Sequence, residues 1–291
     1  MGVTEGTIVK GIGGFYYVRS VDKTYQCKAR GIFRKDGMIP YVGDRVEIEP
    51  LVDEEAVITR ILPRKNQFIR PPVANVDCFI ITAALRKPEL NLYIIDTFLV
   101  MAEYHQTEIG ICLNKIDLAE SGEIEAFKEI YEGLYPVMCV SGKTGEGLDE
   151  LRKFLAGKKS AFAGPSGVGK STLLNRLVDA TLAETGEISE KLQRGKHTTR
   201  HVELFRLSDD SLIFDTPGFT SFEVLDADEQ ELAFLYPEMV PFAGQCRYYN
   251  CRHLSEPDCK VRDAVEEGRI HPFRYDSYCR QIKEIQEMRK Y

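Results

Sequence analysis

The chain has no run approaching the ~18 consecutive apolar residues of a membrane-spanning helix, so no segment is expected to cross a bilayer. A basic flank leading into an apolar stretch is missing from residues 1–14, and with it the expectation of a secretory signal. Gly6 stands where N-myristoylation would require Ser or Thr. These absences point to a cytoplasmic protein without a membrane partner. There is no internal repeat, which removes solenoids and propellers. A disulfide framework is not expected either, because the eight cysteines belong to a chain of a reducing compartment. Cys27, Cys78, Cys112 and Cys139 lie in apolar surroundings and read as small core hydrophobes, and Cys279, standing apart, reads the same way. Cys246, Cys251 and Cys259 are clustered and need a separate account.

A general excess of basic residues, the usual mark of a nucleic-acid partner, is lacking too, since the net charge is −7. The distribution is uneven, however. Residues 1–72 hold 12 basic and 9 acidic residues, a balance of +3 that leaves −10 on the remainder. Arg60, Arg64, Lys65 and Arg70 fall in a stretch with no acid, and Lys191, Arg194, Lys196, Arg200 and Arg206 are opposed by Glu203 alone. Such patches on an acidic body suit a partner bound specifically and released, and a solvated surface explains them equally well.

A length of 291 residues allows two or three domains, and a 43% hydrophobic, 29% charged composition supports a well-buried core. Residues 1–70 read as five short strands, 7–9, 15–19, 24–30, 45–49 and 56–61, punctuated by Gly13-Gly14, Asp36-Gly37 and Gly43-Asp44. Without any helical period, this pattern predicts a small closed barrel of the OB type. Such barrels often bind RNA, and many only pack against a neighbour. Pro71-Pro72, unable to donate to a sheet, marks a boundary. Over residues 73–225, apolar strands at 76–82, 109–113, 137–140, 160–163, 201–207 and 211–215 are interleaved with helical stretches at 91–105, 122–134, 147–155 and 171–178. That alternation predicts an α/β domain with a mostly parallel sheet covered on both faces. Residues 226–291 read as a helical section around a Cys/His cluster, ending in a mixed-charge helix at 275–290.

The strand at 160–163 runs into Gly164-Pro165-Ser166-Gly167-Val168-Gly169-Lys170-Ser171, a phosphate-binding loop pattern followed by a helix, as that pattern requires. Its glycines let backbone N–H groups turn towards phosphates at the positive end of the helix. Lys170 can reach the β- and γ-phosphates, and the Ser171 hydroxyl can coordinate Mg²⁺.

Asn114-Lys115-Ile116-Asp117 names the base, because it directly follows the strand at 109–113. The Asp117 carboxylate can accept from both the N1–H and the 2-amino group of guanine. Adenine offers no such pair, and a buried carboxylate left unpaired would oppose its binding. Asn114 would secure the motif and the base edge while the Lys115 stem covers the ring. Ser141-Gly142-Lys143, after the strand at 137–140, could set a backbone N–H against guanine O6.

Asp215-Thr216-Pro217-Gly218 ends the last strand, where the carboxylate can hold Mg²⁺ through water and the Gly218 N–H can donate to the γ-phosphate. The polar segment Gly195-Lys196-His197-Thr198-Thr199-Arg200 lies before it. Thr199, or else Thr198, would close on Mg²⁺ with the triphosphate; the alternative is a plain polar loop. These elements match the five motifs of Ras-like GTPases in rotated order, with the base-reading motifs first. A circularly permuted P-loop GTPase domain accounts for this, since all five loops can still meet at one end of the sheet. Cys246-x4-Cys251-x-His253-x5-Cys259 offers three thiolates and an imidazole, a tetrahedral set for one structural Zn²⁺, and reduced core cysteines are the other reading.

A barrel, a permuted GTPase domain and a C-terminal Cys/His section together resemble the RsgA (YjeQ-type) family of small-ribosomal-subunit-dependent GTPases over essentially the whole chain. The resemblance implies binding to the 30S subunit, late maturation of that subunit, GTP hydrolysis stimulated by it, and 16S rRNA contact through the barrel and C-terminal sections. It raises the expectation of zinc at Cys246, Cys251, His253 and Cys259. The expected GTP contacts are Asn114, Lys115, Ile116 and Asp117, then Ser141, Gly142 and Lys143. They continue through Gly164, Pro165, Ser166, Gly167, Val168, Gly169, Lys170, Ser171 and Thr172, and end at Gly218. Magnesium is expected at Ser171, Thr199 and Asp215.

Many GTPases place a water-orienting glutamine just after Asp-x-x-Gly. Phe219 occupies that position and cannot serve, as in the resembling family. His197 is the best side chain to orient water, with Lys170 as its catalytic companion, although a backbone- or RNA-contacting role for His197 stays open. The expected activity is therefore GTP hydrolysis, slow alone and accelerated by the subunit. The alternative is a GTP-dependent rRNA- or ribosome-binding module in which hydrolysis is incidental. An ATPase is opposed by Asp117. A monomer is the default.

Overall fold

The computed structural model describes residues 2–21, 23–30, 33, 38–69, 71–185, 202–208, 210–215 and 227–288. In chain order the strands are β1 (Thr4–Ile12), β2 (Phe15–Ser20), β3 (Lys23–Ala29), β4 (Arg45–Pro50), β5 (Glu55–Ile61), β6 (Gln67–Phe68), β7 (Val73–Ala74), β8 (Cys78–Ala84), β9 (Glu108–Asn114), β10 (Val137–Cys139), β11 (Lys159–Ala163), β12 (Glu203–Arg206) and β13 (Leu212–Asp215). The helices are α1 (Leu92–Tyr104), α2 (Glu123–Tyr131), α3 (Leu148–Leu155), α4 (Lys170–Thr185), α5 (Val240–Ala243), α6 (Lys260–Glu266) and α7 (Pro272–Met288). Short 3-10 turns occur at Ile116–Leu118 and Leu232–Leu235. The chain divides into two compact units.

One unit holds the described residues of 1–78, 152–162 and 171–219. Its five N-terminal strands close on themselves: β1 pairs with β2 and β4, β2 with β3, β4 with β5, and β3 runs parallel to β5. This is the expected five-stranded barrel. Alternation puts Ile8, Val18, Cys27, Val46, Ile48, Ala56 and Ile58 inside, and these residues are almost wholly buried. β11 pairs in parallel with β13, which pairs antiparallel with β12. β1 also meets β12 at Lys10 and Glu203, whose side chains form an ion pair at 3.3 Å.

The acid-free stretch after Arg60 behaves differently in three dimensions than in sequence. Arg64 makes two hydrogen bonds, of 2.7 and 2.8 Å, to the buried Asp44 carboxylate and lies over the Tyr41 ring. Arg60 pairs with Glu47 and Lys65 with Asp77. Arg60, Arg64 and Lys65 are therefore each matched by an acid from elsewhere in the unit, and the buried partner favours a structural role for Arg64.

The other unit holds the described residues of 79–151, 163–170 and 220–291. β9 lies between β8 and β10 and runs parallel to β10. Asn91 caps α1 by accepting from Ile94 N–H, and α1 buries Ile95, Phe98, Leu99 and Met101. The C-terminal section is not a separate core: Val100 of α1 shares one cluster with Leu232, Tyr236, Met239, Val261, Tyr278, Ile282 and Ile285. Arg274 of α7, wholly buried, pairs with Asp96 at 2.6 Å and with Glu238 at 2.7 Å. Tyr131 donates to the same Asp96 carboxylate.

Candidate functional site

β9 ends in a run of buried residues, and the chain then turns through a left-handed Lys115 (φ +63) into the turn Ile116–Leu118. This reversal leaves Asn114, only 2% exposed, at the junction of three segments. Its side-chain amide donates to Val168 O at 2.8 Å and its oxygen accepts from Gly142 N–H at 3.0 Å. Lys115 donates to Gly167 O at 2.7 Å and also to Lys87 O. Asp117 accepts from the Ser141 hydroxyl at 2.7 Å, and Lys143 Nζ stands 3.8 Å from its second oxygen. The segments expected to read a guanine base thus converge on the expected phosphate loop.

The loop itself requires glycine at two points of close approach. A Cβ on Gly164 (φ +138) would stand 2.2 Å from Thr82 O, and one on Gly169 (φ +100) would stand 2.3 Å from Asn114 Nδ2. Lys170 opens α4 and donates to Gly164 O at 2.6 Å and Pro165 O at 2.9 Å. Burial pushes its ammonium down to about 8. A backbone cradle with a half-buried ammonium folded into it fits a polyanion such as a nucleoside triphosphate. Ser166 and Gly167 are exposed at the loop's outer edge. Ser171 and Thr172 follow Lys170 on the first turn of α4, both exposed, and Asp215 is the last residue of β13. Hydroxyl and carboxylate oxygens are the donor set a hard cation such as Mg²⁺ takes. His197, Thr198, Thr199, Gly218 and Phe219 lie outside the described residues.

The second constellation is in the C-terminal section. The ligand atoms of Cys246, Cys251, His253 and Cys259 all lie within 4.8 Å of one another. A tetrahedral zinc, with bonds of about 2.3 Å to sulfur and about 2.0–2.1 Å to nitrogen, sets S···S edges of about 3.8 Å and N···S edges of about 3.5 Å. Cys246 and Cys259 are 3.9 Å apart, and His253 Nδ1 is 3.4 Å from each of them, so the residues fit. Left-handed backbone at His253 (φ +59) and Asp258 (φ +57) folds the ligands inward. Tyr275 and Tyr278 of α7 donate to His253 O and Arg252 O, and the Glu256 carboxylate accepts from the Arg252, Leu254 and Ser255 N–H groups. Cys279 lies on the edge of the hydrophobic cluster and is no member of this set, and Cys139 is half-buried rather than in a core.

Two features were not legible in the sequence. Lys87 O as a partner of Lys115 comes from a turn with no motif. The buried Arg274–Asp96–Glu238 group had one faint signal, an aspartate on the apolar face of the stretch at 91–105.

Among the described residues no helix is long and apolar enough to cross a membrane. The model of the RsgA GTPase family matches residues 61–225, and that of the RsgA N-terminal domain matches residues 5–58. A protein of Caldanaerobacter subterraneus subsp. tengcongensis named small ribosomal subunit biogenesis GTPase RsgA is 46% identical over 287 residues, covering 98% of this chain and 97% of the relative. One of the same name from Alkaliphilus metalliredigens is 45% identical over 293 residues, covering 99% and 100%. Among solved structures, YjeQ from Thermotoga maritima superposes with a TM-score of 0.85 at 36% identity, covering 98% of this chain and 99% of that one. YloQ, a circularly permuted GTPase, gives 0.83 at 34% identity, covering 99% and 96%.

Proposed function

The chain belongs to the RsgA GTPase family, and from that premise we propose a GTP hydrolase that binds the small (30S) ribosomal subunit and assists its late maturation. Hydrolysis is stimulated by the subunit in this reading. The single observation that carries the nucleotide assignment is Asn114, whose side chain ties the phosphate loop at Val168 to the Ser141–Lys143 loop at Gly142. The name the relatives share, small ribosomal subunit biogenesis GTPase, supports the ribosomal role.

Within this reading Asp117 accepts from the guanine N1–H and 2-amino group, Asn114, Lys115 and Ile116 frame the base, and the Gly142 segment with Ser141 and Lys143 closes its edge. Residues 164–172 cradle the phosphates, and Gly218 donates to the last of them. Lys170 exchanges two loop carbonyls for phosphate oxygens, whose negative charge offsets the burial that lowers its proton affinity. Ser171, Thr199 and Asp215 would hold Mg²⁺, which would supply neutralisation of phosphate charge when bound. His197 orients the attacking water, because Phe219 cannot. Cys246, Cys251, His253 and Cys259 hold one structural zinc with no open position for chemistry. By role, and not as separately packed cores, residues 1–70 serve as the barrel, 73–225 as the permuted GTPase domain and 226–291 as the zinc-binding section in this reading. The barrel and the zinc-binding section contact 16S rRNA, and the protein works as a cytoplasmic monomer.

Phe219 favours a second reading, a GTP-dependent ribosome-binding module with incidental hydrolysis. Single-turnover GTP hydrolysis with and without purified 30S subunits separates the two. The first reading expects stimulation, and a loss of about 10²-fold in stimulated turnover for His197→Ala with GTP affinity kept. A rate indifferent to the subunit leaves the binding module.

A further inference from the structure

Between β8 and α1 the chain makes a turn at residues 85–89, and this turn lies against the nucleotide loops. Three contacts define its place. The Lys87 carbonyl accepts from the Lys115 ammonium, which is shared with Gly167 O of the phosphate loop. The Pro88 ring faces the same loop, since a Cβ on Gly167 would stand 3.6 Å from Pro88 Cδ. Arg86 Nη2 reaches Glu120 at 3.0 Å and Glu123 at 2.7 Å, the residues that follow the Asn114–Asp117 motif into α2. The other Glu123 oxygen accepts from Glu120 N–H at 2.8 Å, so these acids form one unit.

We propose that Arg86 is a positioning residue for guanine-nucleotide recognition, holding the Lys87 carbonyl where it orients the Lys115 side chain over the site. The inference rests on reading that site as GTP-binding. A lysine has four torsions and a rotating ammonium, so its stem covers a base reproducibly only if both acceptors of the ammonium are fixed. Gly167 O is fixed by the phosphate loop. Lys87 O belongs to a short turn that Arg86 anchors by charge to the α2 segment. The Arg86 Nε is buried and has no hydrogen-bond partner among the described residues, a cost that an arginine serving only solubility would avoid by facing water. A partly exposed ion pair contributes little to global stability, so the signature belongs in nucleotide affinity and not in melting.

A double-mutant cycle tests this, using GDP affinity for the wild type, Arg86→Ala, Lys115→Met and the double variant of the full chain. Arg86→Ala should weaken GDP about 5- to 10-fold, a loss inside the span of couplings between contacting residues. Its melting temperature should change little. In the Lys115→Met background the loss should disappear, because the group being positioned is gone. Arg86→Lys should recover part of the affinity. If Arg86→Ala does not fold, Glu123→Gln replaces it in the same cycle. An equal loss in both backgrounds, or no loss in a folded variant, overturns the proposal. A wild type that does not bind GDP overturns the nucleotide assignment itself, which the cycle distinguishes from failure of the Arg86 role alone.

Discussion

Replacing Asn114 by alanine is the sharpest perturbation available in the nucleotide site. The side chain is 2% exposed and makes two hydrogen bonds, to Val168 O at 2.8 Å and from Gly142 N–H at 3.0 Å. Each neutral bond is worth about 0.5–1.5 kcal/mol net, and leaving the buried Val168 carbonyl or Gly142 N–H unpaired adds about 1–3 kcal/mol. A combined loss of about 2–4 kcal/mol follows if solvent re-pairs part of what is stranded. The β9 ladder and its buried apolar side chains stay in place, so the fold should survive. Both lost bonds join loops of the site, and the loss should therefore appear mainly in nucleotide affinity, about 30- to 700-fold at 1.4 kcal/mol per decade. Fluorescent GDP titration gives the dissociation constant, and thermal melting of the same preparation gives stability. A folded variant with unchanged GDP affinity and a lowered melting temperature would refute the reasoning, because Asn114 would then be a core residue only.

Lys170 carries a proton linkage: burial holds its ammonium down to about 8 in the free loop, and phosphate oxygens raise it. GDP binding at pH 8 should take up about half a proton, and affinity should fall as the pH rises above 8; calorimetry in two buffers of different ionisation enthalpy that finds no uptake removes the linkage. Asp117→Asn exchanges a double acceptor for an amide and should shift preference from guanine to xanthine nucleotides, whereas wild-type binding of ATP as tight as GTP contradicts the base assignment. Cys251→Ala should release the zinc and loosen the C-terminal section, and metal analysis of chelator-free protein that finds no zinc rejects that site. Arg274→Ala leaves two buried carboxylates uncompensated and should cost about 3–5 kcal/mol in denaturant unfolding, most of which Arg274→Met with Asp96→Asn and Glu238→Gln should recover. Recovery failing in that triple variant would mean the side chain's packing, not its charge, matters.

What could be read from sequence is what a few adjacent residues decide. The phosphate loop from Gly164 to Ser171, the Asn114–Asp117 motif and the Cys246–Cys259 cluster each carry their chemistry within a short stretch, and their order along the chain exposed the permutation. Strand alternation in residues 1–70 sufficed for a five-stranded barrel because inward residues such as Val46 and Ile48 recur at every second position. Tertiary structure alone decided which distant groups meet. Asn114 reaches Val168 across 54 positions, and Arg274 reaches Asp96 across 178. Arg60, Arg64 and Lys65 look like free basic charge in the sequence, and in the fold Glu47, Asp44 and Asp77 come alongside them. The physical reason is the same in each case: a side chain's charge or hydrogen-bonding capacity is local, but whether it is spent inside the protein depends on partners that only the folded chain brings within 3 to 4 Å.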